Sequence, residues 1–195
     1  MISPFYLIVD HVDWLKRLLP LGVKLVQLRI KNQDLNFVSR QIKDAKALCE
    51  HYQVQLIVND FWELAIEHQC DYIHLGQEDL GSADVERIKK NDIQIGISTH
   101  SVTELERALR FNPDYIALGP VYETKLKKMA FDPQGLDKVT QWKEQLNDLP
   151  LVAIGGMTPE RAKLSLAAGA DSVAVVTDIL LNENPESRTK EWLEI

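Results

Sequence analysis

Leu56-Ile57-Val58-Asn59-Asp60 and, shortly after it, Tyr72-Ile73-His74-Leu75-Gly76-Gln77-Glu78-Asp79 share one construction: a short apolar run that breaks abruptly into amides and carboxylates. Apolar, β-branched runs of this length read as strands buried on both faces, the pattern of a parallel sheet. If the two strands are neighbours, Asp60 and Asp79 leave the sheet at the same mouth. Adjacent strands lie about 4.8 Å apart, so both carboxylates reach a single cation. Mg²⁺ takes one or two carboxylates and completes its shell with water and substrate phosphate. A single aspartate after a strand is equally well a helix N-cap or a turn residue. The pair therefore carries a metal reading only if the rest of the chain supplies phosphate ligands around it.

Outward from this centre, strand and helix alternate from end to end. Further strands are read at Phe5 to Val9, Lys24 to Ile30, Val54 to Val58, Ile93 to Ile97, Tyr115 to Leu118, Leu151 to Ile154 and Ser172 to Val176, besides Tyr72 to Leu75. Between them, Leu35, Val38, Ile42, Ala45, Cys49 and Tyr52 recur at steps of three and four, one stripe of a helix. Helices are also expected at Trp14 to Leu19, at Trp62 to His68 and from an N-cap at Ser82 to Lys90. Ser101-Val102-Thr103-Glu104 has capping-box spacing. Thr158-Pro159-Glu160 opens a helix with Pro at its first position, and Gly169 lies just past the end. A helical tail is expected over Glu186 to Leu193. Eight strand–helix units at roughly 24 residues each predict an α/β fold, a single (β/α)₈ TIM barrel over residues 1–195. An open doubly wound sheet is the rival.

Composition sets the outer limits. The chain has 195 residues, 45% of them hydrophobic, with a formal net charge of −7, and no linker or low-complexity tract divides it. It lacks the basic stripe of a nucleic-acid binder. No apolar run approaches the roughly 20 residues of a membrane-spanning helix. Two cysteines, Cys49 and Cys70, in helix-like surroundings give no disulfide framework. The start at Met1-Ile2-Ser3-Pro4 has no basic stretch followed by an apolar one, so no signal peptide is expected. The expectation is a soluble, cytoplasmic protein acting on small molecules, with neither nucleic acid nor membrane as partner; a homo-oligomer is compatible with it.

In an eight-stranded α/β barrel the active site sits at the C-terminal ends of the strands. On the second strand Gln27, Arg29 and Lys31 share one face, and polar residues there are costly unless an anion meets them or the face is wet. The fifth ends in Gly96-Ile97-Ser98-Thr99-His100; Ser98 is a ligand hydroxyl or a helix cap. His100, and still more His74, suit structural roles. The loop Gly119-Pro120-Val121-Tyr122-Glu123-Thr124-Lys125-Leu126-Lys127-Lys128-Met129 has three lysines in four positions. Loops this long act as lids or binding loops, and a solvated charged turn is the alternative. Ile154-Gly155-Gly156 and Val175-Val176-Thr177-Asp178 fall where such barrels commonly hold phosphate.

With these segments in one order, the chain resembles the thiamine phosphate synthase family over essentially its whole length. The resemblance implies joining of hydroxymethylpyrimidine diphosphate to hydroxyethylthiazole phosphate, giving thiamine phosphate and diphosphate with Mg²⁺. By the family pattern Gln27, Arg29, Lys31, Asn59, Ser98 and Lys127 hold the pyrimidine diphosphate, and among them Arg29, Lys31, Ser98 and Lys127 serve catalysis. Asp60 and Asp79 bind the metal. Thr124, Gly156 and the backbone at Val176 and Thr177 hold the thiazole phosphate. Two positions depart from the pattern: Leu126 stands where a second threonine is usual, and Thr177 where serine is usual. The rivals are a thiazole tautomerase on the same barrel, whose usual pattern lacks the Gly-Gln-Glu-Asp segment, and a non-catalytic barrel that binds thiazole phosphate or thiamine phosphate.

Overall fold

The computed structural model describes residues 2–124 and 132–195. Its eight strands are β1 (Phe5–Val9), β2 (Leu25–Leu28), β3 (Gln55–Asn59), β4 (Tyr72–Leu75), β5 (Gln94–Thr99), β6 (Tyr115–Leu118), β7 (Leu151–Ile154) and β8 (Ser172–Val175). Every neighbouring pair is parallel, and β8 closes on β1 through the register Phe5 to Val173 and Leu7 to Val175. The closed (β/α)₈ barrel expected from the alternation is thus the observed one, and the open sheet is excluded.

Helices run between the strands: α1 (Val12–Leu18), α2 (Leu35–Tyr52), α3 (Trp62–Glu67), α4 (Val85–Lys90), α5 (Val102–Leu109), α6 (Gly135–Leu146) and α7 (Pro159–Ala167). After β8 come α8 (Thr177–Leu180) and α9 (Pro185–Trp192). The period-two alternation of the strands divides the apolar residues between two cores. Tyr6, Ile8, Leu25, Ile57, Tyr115, Ala117, Val152 and Ala174 fill the barrel interior. Phe5, Leu7, Val9, Val58, Ile73, Ile95 and Ile116 face outward into the layer shared with Val38, Ile42, Ala45 and Trp142 of the helices.

Three local expectations are corrected. The second strand ends at Leu28, two residues short of the expected Ile30. Only Gln27 of the polar row lies on it, buried inside the barrel. Arg29 still donates its backbone N–H to the Val9 carbonyl (2.8 Å), and Lys31 lies beyond the ladder. Extending the strand would force both charged heads into packed layers; ending it lifts them to the rim, where both are exposed.

The helix expected from Ser82 starts instead at Val85. Asp84 caps it by accepting the Arg87 N–H at 2.9 Å. A 3₁₀ turn over Asp79–Gly81 precedes it, and the Ser82 hydroxyl donates back to the Asp79 carbonyl (3.1 Å). Finally, Cys49 lies in α2 as expected, but Cys70 follows α3 in the turn before β4. Burial pushes the Cys49 thiol up to about 12 and the Cys70 thiol to about 11, which keeps both protonated and unreactive.

The capping box of α5 is modified. Ser101 accepts the Glu104 N–H (3.3 Å), but the Glu104 carboxylate reaches one residue further back, to the His100 N–H (2.7 Å) and imidazole Nδ1 (2.8 Å). These two bonds hold His100 against the start of α5.

Candidate active site

Immediately after β3 the chain turns sharply. Asp60 adopts φ of +64°, a left-handed conformation that aspartate tolerates better than most residues, and its N–H bonds the His74 carbonyl of β4 at 3.0 Å. The turn directs the Asp60 side chain to the rim, where the Lys31 ammonium donates to it. Asp79, four residues past β4, folds back through its 3₁₀ turn so that its Oδ2 accepts the Gly76 N–H at 3.1 Å. A Cβ on Gly76 would meet that same oxygen at 2.9 Å, so the glycine keeps the approach open.

The two carboxylates are adjacent. Burial, then the charge and hydrogen bonding of Asp60, raise the Asp79 carboxyl above its ordinary range, against the pull of the Gly76 N–H and Lys31. Two carboxylates that resist ionising together form a donor set a divalent cation relieves. Among the described residues no group of three or more His, Cys, Asp or Glu gathers as a metal cage. A cation on this pair would draw its remaining ligands from water and phosphate, which suits Mg²⁺.

Asn59, the last residue of β3, is 4% exposed, and its Nδ2 has no hydrogen-bond partner. A buried, unpaired donor costs of order 1–3 kcal/mol, a cost that a ligand acceptor offsets.

Beneath the rim a hydrogen-bonded string crosses the barrel. Gln27 Nε2 donates to the Tyr6 hydroxyl (2.8 Å), which meets the Tyr115 hydroxyl (3.0 Å). Tyr115 meets His74 Nδ1 (2.7 Å), and His74 Nε2 meets the Ser98 hydroxyl (2.7 Å). Burial, with the nearby Arg29 charge, brings His74 down to about 4, so its imidazole is neutral at neutral pH. Ser98 is anchored from a second side, its carbonyl accepting the Gln77 side-chain amide at 2.8 Å.

A cavity of about 470 Å³ opens at this end of the barrel, over β1 and β5 to β8. Arg29, Ser98, Thr124, Gly156, Val176 and Thr177 line it. The glycine pair of the β7 loop has left-handed backbone (φ +104° and +64°). A Cβ on Gly156 would lie 2.3 Å from the Glu123 carbonyl oxygen, so only glycine lets the two loops approach. Arg161 fastens this contact: its guanidinium donates to the Gly156 carbonyl and lies 4.7 Å over the Tyr122 ring. Both stems of the long loop are tied down, Val121 N–H to the Ile154 carbonyl (2.8 Å) and Gln134 N–H to that of Pro120 (2.7 Å). On the far side, Asp178 of α8 takes two bonds from Arg188 (2.7 and 3.1 Å) and one from the Trp192 indole (2.8 Å), clamping α8 to α9.

Of the residues to which the family resemblance gives a site role, these six line the cavity. Gln27, Lys31, Asn59, Asp60 and Asp79 lie on the β2 to β4 side outside its lining. Lys127, with Lys125, Leu126 and Lys128, lies outside the described residues, and with it the lid expected there. Tyr6, Tyr115 and Arg161 are not singled out from the sequence, and Asp178 is expected there in a phosphate-holding segment rather than in a clamp on α9. Only the polarity of two tyrosines at inward-facing strand positions hints at a buried network.

A barrel with a carboxylate pair, cations and a glycine-lined cavity at its C-terminal mouth is a phosphate-handling (β/α)₈ enzyme in form. The sequence model of the family described as thiamine monophosphate synthase matches residues 5–179. The thiamine-phosphate synthase of Rhizobium etli is 55% identical over 98% of this chain and 94% of its own length. That of Pectobacterium atrosepticum is 46% identical over 89% of this chain and 82% of its own. The solved thiamine phosphate pyrophosphorylase of Pyrococcus furiosus superposes with a TM-score of 0.86 at 27% identity, over 97% of this chain and 93% of that one. The chain belongs to the thiamine monophosphate synthase family and is an enzyme of the transferase class. No helix among the described residues is long and apolar enough to cross a membrane.

Proposed function

We propose that this chain condenses 4-amino-5-hydroxymethyl-2-methylpyrimidine diphosphate with 4-methyl-5-(2-hydroxyethyl)thiazole phosphate, releasing diphosphate and thiamine phosphate. Family membership supports formation of thiamine phosphate. The observation that carries the finer reading is the adjacent Asp60–Asp79 pair, with Lys31 on one member and Asn59 unpaired beside it, at the same rim as the cavity.

The reaction needs no nucleophilic side chain. The bond from the pyrimidine methylene to the diphosphate oxygen breaks with its electron pair leaving on oxygen, and the aminopyrimidine ring donates into the methylene. The thiazole nitrogen then forms the new C–N bond. Arg29, Lys31 and Ser98 hold the diphosphate and oppose its growing charge, which is worth most in a site screened from water. Asp60 and Asp79 would hold Mg²⁺, which when bound supplies further neutralisation of the leaving group. Gln27 and Asn59 orient the pyrimidine. Thr124, Gly156 and the backbone at Val176 and Thr177 receive the thiazole phosphate, bringing the two rings together. Lys127 enters on the resemblance alone, as a further diphosphate ligand.

The test is an assay with both substrates and Mg²⁺ that follows diphosphate. Release that needs both substrates and the metal is expected. Proton exchange on the thiazole without diphosphate release would favour a tautomerase; binding without turnover would leave a carrier.

A further inference from the structure

The string from Gln27 to Ser98 has a direction. An amide nitrogen offers only hydrogens, so the Tyr6 oxygen accepts from Gln27 and must send its own hydrogen elsewhere. Its neighbour is the Tyr115 hydroxyl. Having accepted, Tyr115 turns its hydrogen to His74 Nδ1. A neutral imidazole whose Nδ1 accepts carries its hydrogen on Nε2, and Nε2 faces the Ser98 oxygen. The Ser98 oxygen is then an acceptor toward the protein, and its own hydrogen is left to the cavity it lines. Running the string backwards would press the Tyr6 hydrogen against the Gln27 amide hydrogens. A doubly protonated imidazole would set its Nδ1 hydrogen against the hydrogen that Tyr115 sends it. Tyr6 and Tyr115 are each 1% exposed and His74 is 7%, so no bulk water is at hand to absorb such a conflict.

We infer that Gln27, Tyr6, Tyr115 and His74 form a one-way hydrogen-bond relay that fixes the Ser98 hydrogen on the cavity side, making Ser98 a committed donor to an anionic ligand oxygen. Tyr6, Tyr115 and His74 are positioning residues: they act through Ser98. That the anion is a diphosphate rests on the proposed function; the polarity of the relay does not.

The experiment has two readouts. In ligand-free, ¹⁵N-labelled protein, the His74 nitrogen shifts report its tautomer near neutral pH. The Nε2–H form is expected, and an Nδ1–H form overturns the relay whatever the enzyme's activity. Conversely, an Nε2–H His74 in a protein that releases no diphosphate would sink the proposed function and leave the relay standing. The second readout is a cycle of Tyr115→Phe, Ser98→Ala and the double variant, with inorganic diphosphate and Mg²⁺ as probe. Tyr115→Phe should weaken binding roughly fivefold to tenfold, about the worth of one hydrogen bond, and should cost nothing more once Ser98 is alanine. Losses that multiply instead would mean that Tyr115 acts by packing, not through Ser98.

Discussion

The phenol of Tyr115 fills the space in which Gly96 would carry a side chain: a Cβ on Gly96 would lie 2.0 Å from the ring's Cζ and 2.4 Å from its hydroxyl oxygen. Gly96 and Tyr115 are register partners on β5 and β6, and the ring continues inward to stack on His74 with centroids 5.6 Å apart. Gly96→Ala would push the ring off its place and break its bonds to Tyr6 and His74 together. A loss of roughly 2–3 kcal/mol is expected, as for other overpacked cores, and so a Tm lower by about 4–12 °C. An unchanged melting curve would mean that the ring has room to retreat.

Substituting either member of the carboxylate pair tests the metal assignment. Asp60→Asn and Asp79→Asn preserve size, and both should retain the barrel's circular dichroism while lowering turnover roughly 100-fold or more, the scale of losing a charge-stabilising group. Mg²⁺ titrations should lose their activation in step. If both variants kept turnover and its metal dependence, the pair would have no part in cation binding.

Gly156→Ala addresses the other half of the mouth. The added methyl meets the Glu123 carbonyl at 2.3 Å, and φ of +64° costs a non-glycine residue about 1 kcal/mol besides. KM for the thiazole phosphate should rise about tenfold, with KM for the pyrimidine diphosphate little changed. Equal rises in both would show that the β7 loop serves the mouth as a whole.

His74 gives a pH signature to stability. Its folded-state value of about 4 lies below the ordinary histidine value of 6.5 because burial opposes its charge, aided by Arg29 and countered in part by Asp79. A group depressed on folding takes up a proton on unfolding, so its contribution is whole above about 6.5 and fades as pH falls toward 4. The contribution is about 3 kcal/mol. Denaturant unfolding between pH 7 and 4 should show that slope, and His74→Asn should flatten it; a slope unchanged by the substitution would assign it to other groups.

Much of this was legible in the chain because strand ends announce themselves. Tyr72–Leu75, Tyr115–Leu118 and Leu151–Ile154 are bounded by aspartate or proline on one side and glycine on the other, and match the expected strands residue for residue. The meeting of Asp60 with Asp79 followed from two strands ending alike. Arg29 and Lys31 lie beyond the end of β2 rather than on its face, since period-two alternation continues into any extended segment and does not mark where the ladder stops. Helix α8 has four residues, too few to show a helical period. The Tyr6–Tyr115 contact spans 109 positions, and nothing local to either tyrosine points to the other.

The clamp of Asp178 on Arg188 and Trp192 ties the backbone at Thr177 to the far C-terminal helix, whose Trp192 also stacks on Phe5 of the first strand at 5.5 Å. On the proposed function, loosening of that helix and loss of grip on a thiazole phosphate become one thermodynamic event. Occupancy at the mouth should slow amide hydrogen exchange along Pro185–Trp192, a segment that lines none of the cavity.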